Sequence, residues 1–182
     1  MLGAAEHDHV VLFHASDEEL ADQAYQHLFW SGEPGTAILI ATPEHRRLIT
    51  GRMALAGIDV QTKLANGSFE VLDAGETLAS FMVEGWPDAA AFWQTMSPVL
   101  KRALARPGKV RVFGEMVALL WQADKTGAAV DLEALWNELA RHYSFSLLCA
   151  YPADAVAADE RADELSDVHA AHSAVLSGHS RS

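Results

Sequence analysis

A carboxylate, Glu115, stands where a strand-like apolar run ends and a helix-compatible run begins, in the stretch VRVFGEMVALLW from Val110 to Trp121. Ligands and chemistry lie at the carboxyl ends of the strands in open α/β sheets. Gly114 directly before it allows close backbone approach, and glutamate is a poorer helix cap than serine, threonine or aspartate. Glu115 could therefore contact a ligand, act as a base, or complement the dipole of the helix that follows.

Other polar and aromatic side chains also stand at the ends of predicted strands. Because these ends should line one edge of the sheet, they form a candidate ligand-binding set. We expect no catalytic residue among them, and two of the set, Thr42 and Asp73, also suit a role as helix caps. The predicted set is Phe13, His14, Thr42, Asp73, Glu115, Met116 and Tyr151.

Phosphate chemistry is not supported by the loop after the first predicted strand. That loop reads HASDEEL, with three acids and neither glycine nor lysine, so it would repel a phosphate. Neither a P-loop pattern nor a dinucleotide-binding glycine pattern occurs anywhere, and there is no nucleophile-elbow serine.

Nine histidines and one cysteine raise the question of metal binding. His7 and His9 could chelate as a pair, as could His169 and His172 on one helix face, but neither pair has a third ligand at a metal-site spacing. Cys149 lies inside an apolar run and is interpreted as a small buried side chain. We therefore expect no metal and no cofactor.

Elements that would position these residues alternate along the chain. Five apolar runs predict strands, and helices with cap signals lie between them. The segment from Thr77 to Arg106 predicts helix, interrupted at 85–87 and kinked or restarted at Ser97-Pro98. The pattern predicts an α/β fold of three layers, with a mainly parallel sheet flanked by helices. The strand runs are HVVLF, TAILIA, FEVL, KVRVF and FSLLCAY.

Composition limits the partners of this chain. The net charge is −12, with 25 acidic and 13 basic residues, so direct nucleic-acid binding is not expected. No run is long enough to cross a membrane, the N-terminus is not signal-like, and the single cysteine suits a reducing cytoplasm. We expect residues 1–8 to be flexible, and 153–182 to form an acidic, alanine-rich extension with one helix from about Asp163 to Leu176 and a disordered end.

Three stretches resemble a known sensory family: RVFGEMVALLW, LEALWNELARHYSFSLLCAYP and the early HVVLFHASDEEL. They are similar to the MEDS domain, named from methanogen and methylotroph regulators of the dichloromethane-repressor type. The similarity covers roughly His9 to Pro152, with a weaker echo in LSDVHAAHSAVL.

The resemblance implies a RecA/KaiC-like fold without a P-loop. HASDEEL stands at the P-loop position, and Gly114-Glu115 replace the metal-binding aspartate expected after the VRVF strand. The family's late helix often carries a cysteine where this chain has Val168-His169, so no role for that thiol is carried over.

The same resemblance implies a function. Family members are thought to sense small, hydrocarbon-derived molecules and are often fused to output domains. We expect a stand-alone sensory domain, not an enzyme, that binds a small ligand at the strand ends. It would signal through a regulatory protein such as a kinase, transcription or sigma-factor regulator, with homo-oligomerisation left open. The alternatives are an interaction module without a ligand and, less favoured, a hydrolase using Glu115.

ATP and GTP with Mg²⁺ should neither bind nor be hydrolysed, because the acidic, glycine-free HASDEEL loop cannot cradle phosphates. Isothermal calorimetry and a phosphate-release assay test this expectation, with a P-loop ATPase as the positive control. Micromolar nucleotide binding would contradict it.

Overall fold

The computed structural model describes residues 8–29, 34–156 and 162–177. Most of the expected flexible N-terminus, and the expected disorder after Ser177, lie outside this part of the chain. The strands are β1 (His9–His14), β2 (Gly35–Ala41), β3 (Phe69–Asp73), β4 (Met82–Val83), β5 (Trp86–Pro87), β6 (Lys109–Gly114), β7 (Ser146–Pro152) and β8 (Ala174–Ser177). The helices are α1 (Asp17–Phe29), α2 (Pro43–Leu55), α3 (Val60–Ala65), α4 (Ala74–Ala79), α5 (Ala89–Leu104), α6 (Met116–Gln122), α7 (Thr126–Ala140), α8 (Ala153–Val156) and α9 (Ala162–Ala171).

Six of these strands form one sheet in the order β3-β2-β6-β7-β1-β8. Every pairing within it is parallel, so the carboxyl ends of the strands meet at one edge. Parallel sheets need apolar residues on both faces, and β2 accordingly reads GTAILIA with six consecutive buried residues. The arrangement confirms the predicted three-layer α/β class.

Helices cover both faces of this sheet. On one face, Leu20 of α1 and Ile49 of α2 share a core with Leu12 of β1. On the other face, Trp136 of α7 shares a core with Val11, the neighbour of Leu12 in β1. Successive side chains of a strand point to opposite faces, so β1 contributes to both cores.

Local cap signals predicted the starts of α2 and α4 correctly. The side chain of Thr42 accepts the His45 N–H at 3.4 Å at the start of α2, and Asp73 accepts the Glu76 N–H at 3.0 Å before α4. Each bond satisfies a backbone donor that lacks a partner within its helix. The predicted caps are therefore present.

The stretch predicted as an interrupted helix between Thr77 and Arg106 needs correction. Helix α4 ends at Ala79, and the hairpin of β4 and β5 occupies the predicted interruption. Helix α5 then continues through Pro98 without restarting. Buried residues on both sides of Pro98 hold this helix against the sheet, so packing outweighs the lost backbone hydrogen bond.

The C-terminal segment also differs from the expectation of a single helix. Helix α9 lies against α7, and its Val168 is fully buried. After it, β8 pairs with β1 and becomes the outermost strand of the sheet, with Leu176 opposite Leu12. A strand of four residues in an alanine-rich sequence is too short to show the alternation of apolar and polar residues by which a strand is predicted.

Truncation after Pro152 should destabilise the protein, contrary to what a loosely docked extension would give. It removes the buried Val168 and an imidazole, His172, that lies 3.3 Å from the buried Glu133 carboxylate. Loss of one partner of a buried charged pair costs about 3–5 kcal/mol. The free energy of unfolding, measured with urea, should fall by at least about 3 kcal/mol.

The control is truncation after Ser173, which removes β8 but keeps α9 and His172. It should lose less stability than truncation after Pro152. Equal urea midpoints for the Pro152 truncation and the full chain would contradict the prediction.

Candidate functional site

Glu115 lies at the carboxyl edge of the sheet, where β6 has ended and α6 begins. Its side chain makes no hydrogen bond to its own helix, so it does not act as a cap of α6. The carboxylate, in a residue only 3% exposed, turns towards β2 instead. One oxygen accepts the Thr42 N–H and the other is bonded to Nδ1 of His45. The Glu115 N–H also donates to Ile40 O at 3.2 Å.

Through these hydrogen bonds, Glu115 links the carboxyl end of β6 to the carboxyl end of the neighbouring strand β2. Thr42 is the first residue after β2 and the N-cap of α2, and His45 lies in the first turn of that helix. A carboxylate near a helix N-terminus is favoured by the helix dipole. Glu115 therefore fixes the start of α2 relative to β6. The sequence had not indicated this role.

His45 connects the buried Glu115 carboxylate to an exposed carboxylate, Asp17. Its Nε2 lies 3.3 Å from Oδ1 of Asp17, which is half exposed. The hydrogen bond to Glu115, more than any other contact, raises the pKa of His45 to about 9. At neutral pH the group is therefore a cation held between two carboxylates.

His14 lies beside this ion pair but in the opposite protonation state. Its ring is edge-on to His45 at a centroid distance of 6.3 Å, and Nδ1 lies 3.3 Å from Ser16 O. Burial lowers the pKa of His14, so it stays neutral. The edge thus combines a neutral and a charged imidazole with a buried carboxylate.

The remaining predicted site residues divide into two groups. Thr42 and Asp73 act as caps, and Met116 is buried in the core. The rings of Phe13 and Tyr151 are tilted relative to each other with their centroids 5.9 Å apart, on the face covered by α7. Their assignment to a ligand site stays a prediction.

Gly114 was expected to allow close backbone approach, but the structure shows unfilled space beside it. Its φ is not positive, so no special backbone conformation requires glycine. The residue is buried, yet a Cβ placed on it would meet no heavy atom within 4 Å. A small open space therefore lies beside the end of β6. Because Gly114 pairs with Cys149 in register, the space is on the face that also carries Tyr151.

A second polar cluster, unforeseen from the sequence, lies deeper on that face. The ring nitrogens of His9 and His172, the Cys149 thiol and the Glu133 carboxylate lie within 4.8 Å of one another. The Tyr151 hydroxyl donates to Glu133 Oε1 at 2.8 Å. These donors come from β1, β7, α7 and the residue after α9.

The structure thus brings His9 and His172 together with two further donor side chains that no metal-site spacing in the sequence indicated. Each came from a different candidate pair, and they are far apart in sequence. One local signal existed: Glu133 and Asn137 stand at i, i+4 on the otherwise apolar face of α7. Two polar residues on a buried face require internal partners.

An open cleft of about 710 Å³ lies at the opposite edge of the sheet, where β2 begins. Its lining includes Phe29 and Arg106, together with Lys63, whose Nζ lies 5.9 Å from the Phe29 ring centroid. It is remote from the predicted strand-end residues and shares none of them.

Comparison with known proteins identifies the class of this chain. The family model MEDS, the methanogen/methylotroph DcmR sensory domain, matches residues 8–173. The chain therefore belongs to the MEDS family of sensory domains. The match extends past Pro152 and includes α9, in agreement with its docking on α7. No curated protein matches the chain significantly, and none of the described helices is both long and apolar enough to cross a membrane.

The His45–Glu115 pair should make stability depend on pH. The pKa of His45 is raised from 6.5 to about 9, so its contribution is complete below pH 6.5 and lost as the pH rises through 9. The free energy of unfolding should fall by at most about 3 kcal/mol between these pH values. Glu115→Gln should flatten this dependence.

Urea denaturation from pH 6.5 to 9.5 measures the effect. Glu138→Gln is the matched control, since Glu138 pairs with the exposed His142 at 3.5 Å and should leave the pH dependence unchanged. An equally steep fall in Glu115→Gln would refute the assignment.

Proposed function

We propose that this sensory domain binds a small, weakly polar molecule in the space beside Gly114, and that binding is transmitted to a regulatory protein partner. The observation that carries the proposal is the open space beside a buried strand-end glycine. Protein interiors are close-packed, so room for a methyl group at a buried backbone position is an exception. Its place at the carboxyl edge is where α/β sheets bind ligands.

The surroundings of the space favour a small organic molecule. Tyr151 lies on the same face, with Trp121 edge-on to it at a centroid distance of 5.6 Å. Phe13 also contacts the Tyr151 ring. Aromatic side chains are typical of small-molecule sites, and they fit the hydrocarbon-derived ligands that the MEDS resemblance implies.

Coupling to a partner would start at Glu115, the residue next to Gly114. Its carboxylate holds the first turn of α2 through Thr42 and His45. A ligand beside Gly114 that shifts the end of β6 would therefore shift the start of α2. A differential contact of this kind is what a ligand needs to change an equilibrium between two states.

The arrangement of Glu115 favours sensing over hydrolysis. Both carboxylate oxygens already accept hydrogen bonds from Thr42 and His45, and a general base must be free to accept a proton from its substrate. We therefore propose that the protein is not an enzyme that uses Glu115 as a base.

An interaction module without a ligand is the second candidate. Val83 and Trp86, on the hairpin of β4 and β5, are 55% and 54% exposed. Adjacent exposed apolar side chains are typical of protein interaction surfaces. A second copy of this chain or a regulatory protein could use this surface whether or not the space beside Gly114 is filled.

A thermal-shift panel of dichloromethane, methanol, 1-propanol, acetone and acetate tests the proposal. A compound present at 100 times its Kd should add about 2.7 kcal/mol to the free energy of unfolding. Gly114→Val should abolish that shift by filling the space, while the unliganded variant stays folded. Gly114→Ala should weaken binding and leave stability unchanged or slightly raised.

Gly51→Ala is the matched control, because Gly51 also has nothing within 4 Å of an added Cβ but lies on exposed α2. It should keep the full ligand shift. A shift that persists in Gly114→Val would place the ligand elsewhere. No shift with any compound would favour the interaction module.

A further inference from the structure

Four side chains with metal-binding atoms converge inside the protein, on the same face of the sheet as the space beside Gly114. His9 and Cys149 lie on the neighbouring strands β1 and β7 and face the same side of the sheet. Glu133 covers them from α7, and His172 closes the group after α9. Within the described part of the chain, all four donors lie within 4.8 Å of one another.

The distances between these donors fit a single tetrahedral ion. His9 Nε2 lies 3.1 Å from Glu133 Oε2 and 3.3 Å from Cys149 Sγ. Cys149 Sγ lies 3.3 Å from Glu133 Oε2, and His172 Nε2 lies 3.3 Å from Glu133 Oε1. Ligands 2.0–2.3 Å from a tetrahedral Zn²⁺ stand about 3.3–3.7 Å apart, which is close to these four distances, and every pair of donors lies within 4.8 Å.

Both imidazoles are oriented by acceptors on their outer nitrogens. Asn137 donates its Nδ2–H to Ala171 O at 2.9 Å, so its Oδ1, 2.8 Å from His9 Nδ1, must accept. His172 Nδ1 lies 2.5 Å from Val168 O, another acceptor. Each ring therefore carries hydrogen on Nδ1, and in its neutral form points a bare Nε2 into the cluster. Outer acceptors orient metal-binding histidines in the same way.

One nitrogen on the inner face of the cluster lacks a hydrogen-bond partner. Nε2 of His172 is buried and has no hydrogen-bond partner, although Glu133 Oε1 lies 3.3 Å away. Two imidazole nitrogens, a carboxylate and a thiol thus face one another in a region where Glu133 is fully buried. Buried charges require a counter-charge or a metal.

We propose that His9, Glu133, Cys149 and His172 bind a divalent transition-metal ion of the Zn²⁺ class. When the ion binds, the Cys149 thiol releases its proton to the solvent. The resulting thiolate and the carboxylate together carry two negative charges, which one divalent ion neutralises inside the protein. Two imidazoles, a carboxylate and a thiolate are donors that zinc accepts in tetrahedral sites. Four protein ligands leave no open position, so the ion is structural and not catalytic.

The ion would link α9, through His172, to the sheet and to α7. His172 follows α9 directly, whereas the other three ligands belong to β1, β7 and α7. The Tyr151 hydroxyl, which donates to Glu133 Oε1 at 2.8 Å, orients the carboxylate. This inference does not depend on the proposed ligand site, since neither Gly114 nor Glu115 takes part.

Metal binding to the full chain tests the proposal directly. Chelator-treated protein should take up one equivalent of Co²⁺ with the visible bands of a tetrahedral site and a near-ultraviolet thiolate-to-cobalt band. One equivalent of Zn²⁺ should displace it, as measured by elemental analysis. Zn²⁺ should also raise the unfolding midpoint of the treated protein.

Variants separate the four ligands from other sites. Asn137→Ala, which removes an outer partner, should weaken Zn²⁺ binding about 10–100-fold. Cys149→Ser and His172→Gln should weaken it further, and Cys149→Ser should remove the thiolate-to-cobalt band. His142→Gln, at an exposed histidine, should bind Zn²⁺ as the wild type does.

A measurement on the wild-type protein tests the proposal even if a variant does not fold. Cys149 is the single cysteine of the chain, so its alkylation rate reports on this site alone, and Zn²⁺ should slow it at least tenfold. No stoichiometric Co²⁺ or Zn²⁺ uptake would overturn the proposal and leave a hydrogen-bonded network only. Uptake unchanged in Cys149→Ser and His172→Gln would equally overturn it.

Discussion

Parallel pairing gives the six-stranded sheet no solvent-facing side, so each strand needs apolar residues on both faces. Any polar group within it must then find its partner inside the protein. Only two kinds of place satisfy this constraint: the ends of the strands, and positions where a covering helix supplies a matching polar group. The Glu115–His45 pair occupies the first kind, and Glu133 with its imidazoles occupies the second.

The two polar regions are connected through the pairing of β6 with β7. Cys149 belongs to the buried cluster and pairs in register with Gly114 at the end of β6. Tyr151, two residues further along β7, donates to Glu133 and contacts the aromatic rings at the carboxyl edge. Tyr151 therefore contacts both the aromatic rings at the strand ends and the buried carboxylate.

Features that depend on neighbouring residues could be predicted from the sequence. The five long strands, the caps Thr42 and Asp73 and the layered class all follow from apolar runs and short polar signals. The contacts of Glu115 could not be predicted, because its partners Thr42 and His45 are about 70 residues away in sequence. His9 and Cys149, separated by 140 residues, belong together only because β1 and β7 are neighbours in the sheet. No spacing rule for metal ligands covers that separation.

Helix α9 has little apolar area to bury, and its docking shows how polar groups that find partners inside the protein can hold an element in place. Its sequence is rich in alanine, which contributes little buried area compared with leucine or phenylalanine. Polar contacts supply part of the attachment: Asn137 donates to Ala171 O at 2.9 Å, and Ser173 donates to His9 O through both its backbone N–H and its hydroxyl. These bonds converge on the residues around Glu133. Helix α9 and β8 are therefore held by polar contacts to α7 and β1 as well as by the buried Val168.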